Sequence, residues 1–266
     1  VLNVNDVRTV NKVLSNYFSV INHLESNVLK FEEFKVNAGV LRYPVVTSEK
    51  NIDKIYRYLD IALLKSLQNK QNFIDFTFSY YEEDIFEQQV IDYLNEAINN
   101  KKLNIRFNQI IDKSKNVVKN YESEIFLPNL NIDNKYLINI AKKRNKLVDL
   151  EYFHIEFVAS FLHMLEKETN YFLNVIIPIS KETFLSNEFE NHFTAVLKKY
   201  EIPAKFVKIL VDINLTKQKD LARTQRLIKY GITLETTNIN TALNSEFKAL
   251  HINYNNSAKW KDYYNL

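Results

Sequence analysis

The chain has two glycines and no cysteine in 266 residues, and each shortage removes a class of chemistry. A dinucleotide fingerprint, a Walker-A loop and a kinase-type glycine loop all need several glycines to turn the backbone against phosphate, so none is present. No glycine-flanked elbow exists to expose a serine nucleophile. Without cysteine there are no disulfides, thiolate zinc sites, iron–sulfur clusters or cysteine nucleophiles. That usage fits a reducing cytosol, and a cytoplasmic location is the expectation. Charge of one sign is lacking too: 35 basic against 32 acidic residues leave +3. This is too weak a field for a dedicated nucleic-acid partner. No apolar run approaches the ~18 residues that span a bilayer, and no signal peptide is visible. Val1 in place of Met suggests a piece of a longer chain, so any membrane tether would lie in segments outside this sequence.

What is present is a foldable chain, 46% hydrophobic and 25% charged, long enough for one large domain or two ordinary ones. Val1–Val4 is a short apolar run, and Asp6–Asn27 carries apolar residues at helical spacing. Glu33–Tyr43 reads as a strand closed by Pro44. Ser48 and Glu49 open a second helix, and the run IDFTFSYY reads as a strand ending at Tyr81. The order β-α-β-α-β suggests a small α/β or α+β sheet with helices packed on it. After a polar break at Glu82–Asp84 comes an amphipathic helix carrying Phe86, Val90, Leu94 and Ile98. Strand candidates then follow at Leu103–Ile111, Val117–Leu127, Asn174–Ile179, Lys205–Ile213, Ile232–Thr236 and Ala249–Tyr254. Helices fill the gaps at Lys135–Lys142, Leu150–Lys167, Asn187–Tyr200 and Leu215–Tyr230. Alternation of this kind, opened by a hairpin, favours a parallel sheet, doubly wound or closed as a barrel.

Local strings in this order resemble a known tandem. VNAGVLRYP (36–44) and DKIYRYLDIALLKSLQNKQN (53–72) are similar to the C-terminal half of a GGDEF domain, the diguanylate cyclase fold. FNQIID (107–112), NYESEIF (120–126), LINIAKKRNKLVDLEYF (137–153), LNVIIPIS (173–180), YEIPAKFVKILVDI (200–213), YGITLETTNIN (230–240) and FKALHIN (247–253) resemble successive segments of the EAL domain. That family is a modified TIM barrel whose active members hydrolyse cyclic di-GMP with two divalent cations, Mg²⁺ or Mn²⁺. The implied architecture is α/β: a partial GGDEF-like α+β domain over 1–81, then an EAL-like barrel over 82–266 whose last two strands have no counterpart before Leu266. Gly39 and Gly231 fall where these families carry a glycine, one for a close strand approach and one for a helix stop.

The resemblance also implies where chemistry would sit. Glu122, ten residues beyond Asp112, takes the place of the name-giving metal ligand, with Glu124 on the same strand face as second choice. The family's asparagine ligand falls on Pro178, and its next glutamate on Leu210 or Ile209. The paired aspartates fall on Thr237 and Asn238, the water-orienting lysine on His251 and the aspartate after it on Asn253. Among substrate-binding positions, the glutamine falls on Asn108 and the arginine on Phe126. The loop after the paired aspartates is short, with Asn240 and Ala242 where glycines would stand. On the cyclase side, the helical lysine and glycine fall on Leu67 and Lys70, and the signature loop would precede Val1. No catalytic residue is therefore assigned. Glu122 is the one metal candidate, and Asn108, Glu122, Asn238 and His251 are candidate relics of a ligand site.

The expected function is a catalytically inactive EAL/GGDEF-like scaffold, regulatory or interaction module that meets other proteins or other parts of a longer chain. No cofactor is expected. The alternative is a divergent cyclic di-GMP phosphodiesterase or non-hydrolysing sensor, with Mg²⁺ or Mn²⁺ needed only there.

Other constellations have plainer readings. His163 with Glu166 and Glu151 with His154 share helix faces at i, i+3, which could touch one ion but more simply makes ordinary ion pairs. For His251 the plainer reading is a polar barrel-mouth residue, against a residual acid–base role. For Glu122 a hydrogen-bonded structural relic is weighed against retained ligand contact. KKRNK at Lys142–Lys146 reads as a solvated helix end rather than a phosphate or lipid contact. Tyr80–Tyr81 and Tyr263–Tyr264 read as packed aromatics rather than base-stacking platforms.

Overall fold

A computed structural model describes residues 6–28, 36–100, 103–127, 130, 132–213, 218–244 and 247–251. They fall into two units, Val1–Gln89 and Val90–Leu266. The first unit turns on one crossover. Strands β1 (Ala38–Val40) and β2 (Phe73–Asp75) pair in parallel, which requires a long connection, and helix α2 (Ile52–Gln68) supplies it. Asn51 starts α2 by accepting the amides of Asp53 and Lys54 at 2.9 and 3.3 Å. Gly39 lets the helix lie against β1: a Cβ there would stand 2.2 Å from the Leu59 carbonyl oxygen and 2.7 Å from the Leu63 nitrogen. Tyr58, Ile61, Ala62 and Phe76 form the core, with the Tyr58 and Phe76 rings stacked at 4.6 Å. Helix α1 (Val7–Val28) contributes Phe18, stacked on Phe73 at 6.1 Å.

Two expectations change here. IDFTFSYY is a strand only to Asp75, and α3 (Phe78–Asn99) begins inside it. The hydroxyls of Thr77 and Ser79 lie 2.8 Å apart and the Tyr80 amide returns to the Thr77 carbonyl, a local start to a helix. Tyr81 then packs edge-on against Tyr58 at 5.2 Å, so burial on a helix overrides aromatic β-propensity. Of the expected strand Glu33–Tyr43, the described part that pairs is Ala38–Val40. Val1–Val4 lies outside the described residues.

The second unit is a curled sheet in half-barrel form. Its strands are β3 (Asn104–Asp112), β4 (Val117–Phe126), β5 (Val175–Ile179), β6 (Val207–Val211), β7 (Thr233–Thr236) and β8 (Ala249–Leu250), adjacent in chain order. The first pair is antiparallel and every later pair parallel. Between them run α4 (Asn134–Lys143), α5 (Leu147–Thr169), α6 (Lys181–Leu185), α7 (Phe189–Lys199), α8 (Gln218–Lys229) and α9 (Ile239–Asn244). The short α6 and α9 were not legible in the pattern, since five and six residues hold under two helical turns.

Strand alternation sorts the two faces. Val175, Ile177 and Ile179 on β5, Val207, Ile209 and Val211 on β6, and Leu234 on β7 pack with Phe184, Phe189, Phe193 and Leu227 of the helices. Each such side chain contributes about 1.5–3 kcal/mol of transfer free energy when fully buried. A second cluster joins Leu94, Leu103, Ile125, Leu137 and Leu150. Ile176, Pro178, Lys208, Leu210, Thr233 and Glu235 alternate with the helix-side residues and so face the concave side. Gly231, at φ +99°, ends α8, and the Ile232 amide returns to the Leu227 carbonyl at 3.1 Å.

Candidate functional site

The concave face gathers polar side chains from both ends of the sheet. Asn108 on β3 and Glu122 on β4 are register partners, and the Asn108 amide donates to Glu124 Oε2 at 3.0 Å. Glu122 is about one-third exposed, and its Oε2 stands 3.9 Å from Nδ1 of His251. His251 directly follows β8, where its backbone amide bonds the Thr236 carbonyl at 2.8 Å. Its Nε2 lies 2.6 Å from Glu235 Oε2 on β7, and the other oxygen of Glu235 accepts from Lys208 Nζ on β6 at 3.0 Å. Lys208, Glu235, His251 and Glu122 thus form one continuous row of ionisable side chains. The Glu235 side chain is 4% exposed and that of Lys208 16%.

The two carboxylates respond oppositely to their surroundings. Burial pushes Glu235 up, but the hydrogen bonds from His251 and Lys208 and their charges outweigh it and hold the group below the ordinary glutamate range. Burial holds Glu122 above that range; His251 opposes the shift, and the charges of Glu124 and Glu235 add to it. Arg106, the register partner of Glu124, lays its guanidinium over the Phe126 ring at 4.7 Å.

Asn108, Glu122 and His251 are therefore brought together by the fold, with Asn108 bonded to Glu124 rather than Glu122. Asn238 stands apart from the row: its Oδ1 accepts the Thr241 amide at 3.1 Å and caps α9. Lys208 and Glu235 were missed in the sequence. Their signal was a charged residue at the inward position of an otherwise apolar strand. Glu235 is the register partner of Leu210, which in turn is paired with Pro178. A carboxylate thus sits one strand over from the position the resemblance assigns to a glutamate.

This donor set does not fit a two-cation site. Pro178 and Leu210 offer no side-chain oxygen, Thr237 and Asn238 are neutral, and the Asn238 oxygen is engaged by a backbone amide. Glu235 is already held by a lysine and a histidine. Among the described residues, no group of three or more His, Asp or Glu side chains is arranged to hold a metal ion.

The remaining candidates have structural roles. Glu151 is buried and accepts the Ser180 amide at 3.0 and 3.1 Å and its hydroxyl at 2.8 Å. Burial outweighs these bonds and holds its carboxyl above the usual range. His154 is fully enclosed, its Nε2 has no acceptor or donor, and burial lowers its pKa to about 3, so the ring is neutral. His163 packs edge-on to Tyr200 at 6.2 Å. Lys142 and Lys146 pair with Glu182 and Asp149 at the end of α4 and the start of α5. Tyr80 and Tyr81 lie on α3 under Lys65 and Arg57. Tyr263, Tyr264 and Asn253 lie outside the described residues. Among the described residues, no helix is long and apolar enough to cross a membrane.

No protein-family model matches the chain. No curated protein matches it either. Solved structures do. The EAL enzyme Bd1971 in its cGMP-bound form is similar with a TM-score of 0.59 at 14% identity, covering 79% of this chain and 59% of that one. The PaMucR phosphodiesterase in complex with c-di-GMP gives 0.57 at 12% identity, covering 65% and 75%. The EAL domain of Xanthomonas citri FimX in complex with c-di-GMP gives 0.51 at 9% identity, covering 59% and 62%. This chain spans about six tenths of the Bd1971 and FimX chains. At such identities the likeness is one of fold: the second unit has the EAL-type barrel architecture.

Proposed function

We propose that the chain is a catalytically silent EAL-like barrel preceded by a GGDEF-like half-domain, working as a scaffold or regulatory module for other proteins or other parts of a longer chain. One observation carries this reading: the concave row is neutralised from within. Lys208 and His251 occupy both oxygens of Glu235, and the strand-end positions that would complete a metal set are Pro178 and Leu210. A lone Glu122, itself biased toward the protonated form by burial, does not hold two cations. In this reading no cofactor is needed.

A second reading has its own support. Arg106 over Phe126 puts a guanidinium and an aromatic ring together on the open face, a pairing suited to a phosphate and a base. This favours a non-hydrolysing sensor of a cyclic dinucleotide over a hydrolase. Titration of cyclic di-GMP with Mg²⁺ or Mn²⁺, following binding and pGpG formation together, separates the readings. The silent scaffold predicts neither. Binding without turnover, lost in Arg106→Ala, establishes the sensor. Turnover that disappears in Glu122→Ala overturns both.

A further inference from the structure

The exposed apolar side chains of the second unit crowd one end of its sheet. Strands β4 to β8 run parallel, so the β3–β4 turn and the connections into β5, β6 and β7 share the end at which these strands begin. Among the described residues of this unit eight large apolar side chains are exposed, and five lie here: Ile111, Val117, Val118, Tyr171 and Tyr230. His251, which follows β8, belongs to the opposite end.

The β3–β4 hairpin leads this end. Strand β5 joins β4 at Tyr121, so residues 117–120 of β4 and their partners 110–112 on β3 run on as a two-stranded ribbon. At ~3.3 Å per residue the ribbon reaches about 13 Å past the start of β5. Ile111 and Val118 are register partners and share one face of it, whereas Val117 and its partner Asp112 share the other. Ile111 and Val117 are each 52% exposed. Apolar groups thus stand on both faces of a projecting tip. A protein laid against the ribbon covers one face; a soft medium that surrounds the tip covers both. The charge fits an anionic medium. Lys113, Lys115 and Lys119 are exposed around the tip, while Asp112 turns its carboxylate back on the Ser114 amide at 2.9 Å and hydroxyl at 2.6 Å. The connections 170–174, 200–206 and 230–232 add one cation, Lys205, and one anion, Glu201.

We propose that this end of the barrel docks on an anionic lipid bilayer, with the hairpin tip entering the headgroup layer. Lysine stems lie along apolar surface while their ammonium groups stay in the polar layer, and tyrosine suits the same depth. The attraction of the lysines to anionic headgroups adds to the burial of Ile111, Val117 and Val118. The contact is peripheral, since no described helix is long and apolar enough to cross a membrane. It uses no member of the concave row, so it holds or fails separately from the silent-scaffold reading.

The test is flotation of the whole chain with phosphatidylcholine vesicles, with and without phosphatidylserine. Wild type is expected to bind the phosphatidylserine vesicles at least about tenfold more tightly, and to release as salt rises. The double variant Lys113→Gln/Lys115→Gln should weaken this binding at least about tenfold, since each lysine near such a surface adds roughly a fivefold factor. Val117→Ser/Val118→Ser should weaken it with the lysines intact, and an unchanged Tm shows that either double variant is folded. Val117→Trp reports insertion directly: its emission should shift to the blue and be quenched by brominated lipid chains. Equal binding to both vesicles, or binding that survives in Val117→Ser/Val118→Ser, overturns the proposal. Soluble poly-glutamate bound as tightly as the phosphatidylserine vesicles overturns it too, and makes this end a site for an acidic protein.

Discussion

Glu122 and His251 face each other at 3.9 Å although three strands lie between theirs. In a flat sheet the axes of β4 and β8 would stand about 19 Å apart, four strand spacings, beyond the joint reach of the two side chains. The contact therefore depends on the curl of the sheet, and the curl is what lets residues 129 positions apart in sequence share one site. Glu235 completes the geometry by holding the other ring nitrogen at 2.6 Å.

The Lys208–Glu235 pair is expected to behave as a coupled unit. Glu235→Met leaves a largely buried ammonium without its carboxylate, and Lys208→Met leaves Glu235 with His251 alone. Removing one partner of a buried pair costs about 3 kcal/mol, while replacing both by hydrocarbon costs far less. Urea denaturation of both single variants and the double variant should show the double to be less destabilised than the sum, by about 1–3 kcal/mol. Simple additivity would mean that the two charges are independently solvated.

Much of this barrel is written plainly in the sequence. The runs VIIPI and VKILV are short, apolar and bounded by helical periodicity, so β5 and β6 are legible without a relative. The site is legible only in part. Asn108, Glu122 and His251 could be placed by order along the chain, but cross-strand register could not. Lys208 and Glu235 meet because β6 and β7 pair Lys208 with Thr233 and Leu210 with Glu235, a relation absent from either string alone. Asn238 shows the converse: a residue at a ligand-like position whose side chain is used locally, to start a helix.

Gly39→Ala is expected to destabilise the first unit by about 1–3 kcal/mol. The added methyl would meet two backbone atoms of α2, the Leu59 oxygen at 2.2 Å and the Leu63 nitrogen at 2.7 Å, so a whole helix must move rather than one side chain. Separate denaturation transitions for the two units, read by a tryptophan introduced at Tyr58, would locate the loss. An unchanged first transition would show that α2 can slide on β1 at no cost.

His154→Leu should make the chain more resistant to acid. The histidine's folded pKa is depressed to about 3, whereas the unfolded ring takes a proton near 6.5. The unfolded state thus binds the extra proton between these values, and stability present above pH 6.5 is lost as pH falls through that window. Between pH 6.5 and 5 the variant should gain on wild type by about 2 kcal/mol. Chemical denaturation at both pH values checks it, and a difference that does not grow on acidification would mean that the ring is reached by water.

Glu122→Gln tests the opposite sign at the centre of the row. Here burial raises a carboxyl, so the folded state holds its proton to higher pH than the unfolded state does. The glutamate's contribution is complete below the ordinary glutamate range and is lost as pH rises through the elevated folded value. The amide does not titrate. The stability of Glu122→Gln relative to wild type should therefore increase between pH 4 and 7, as read by urea midpoints with an unchanged slope. His251 decides how far. In a His251→Ala background the carboxylate loses the neighbour that opposes its upward shift, and the pH trend should steepen. A trend that reverses would show that His251, rather than burial, sets the charge state of Glu122, and that the row carries a held anion instead of a neutral acid.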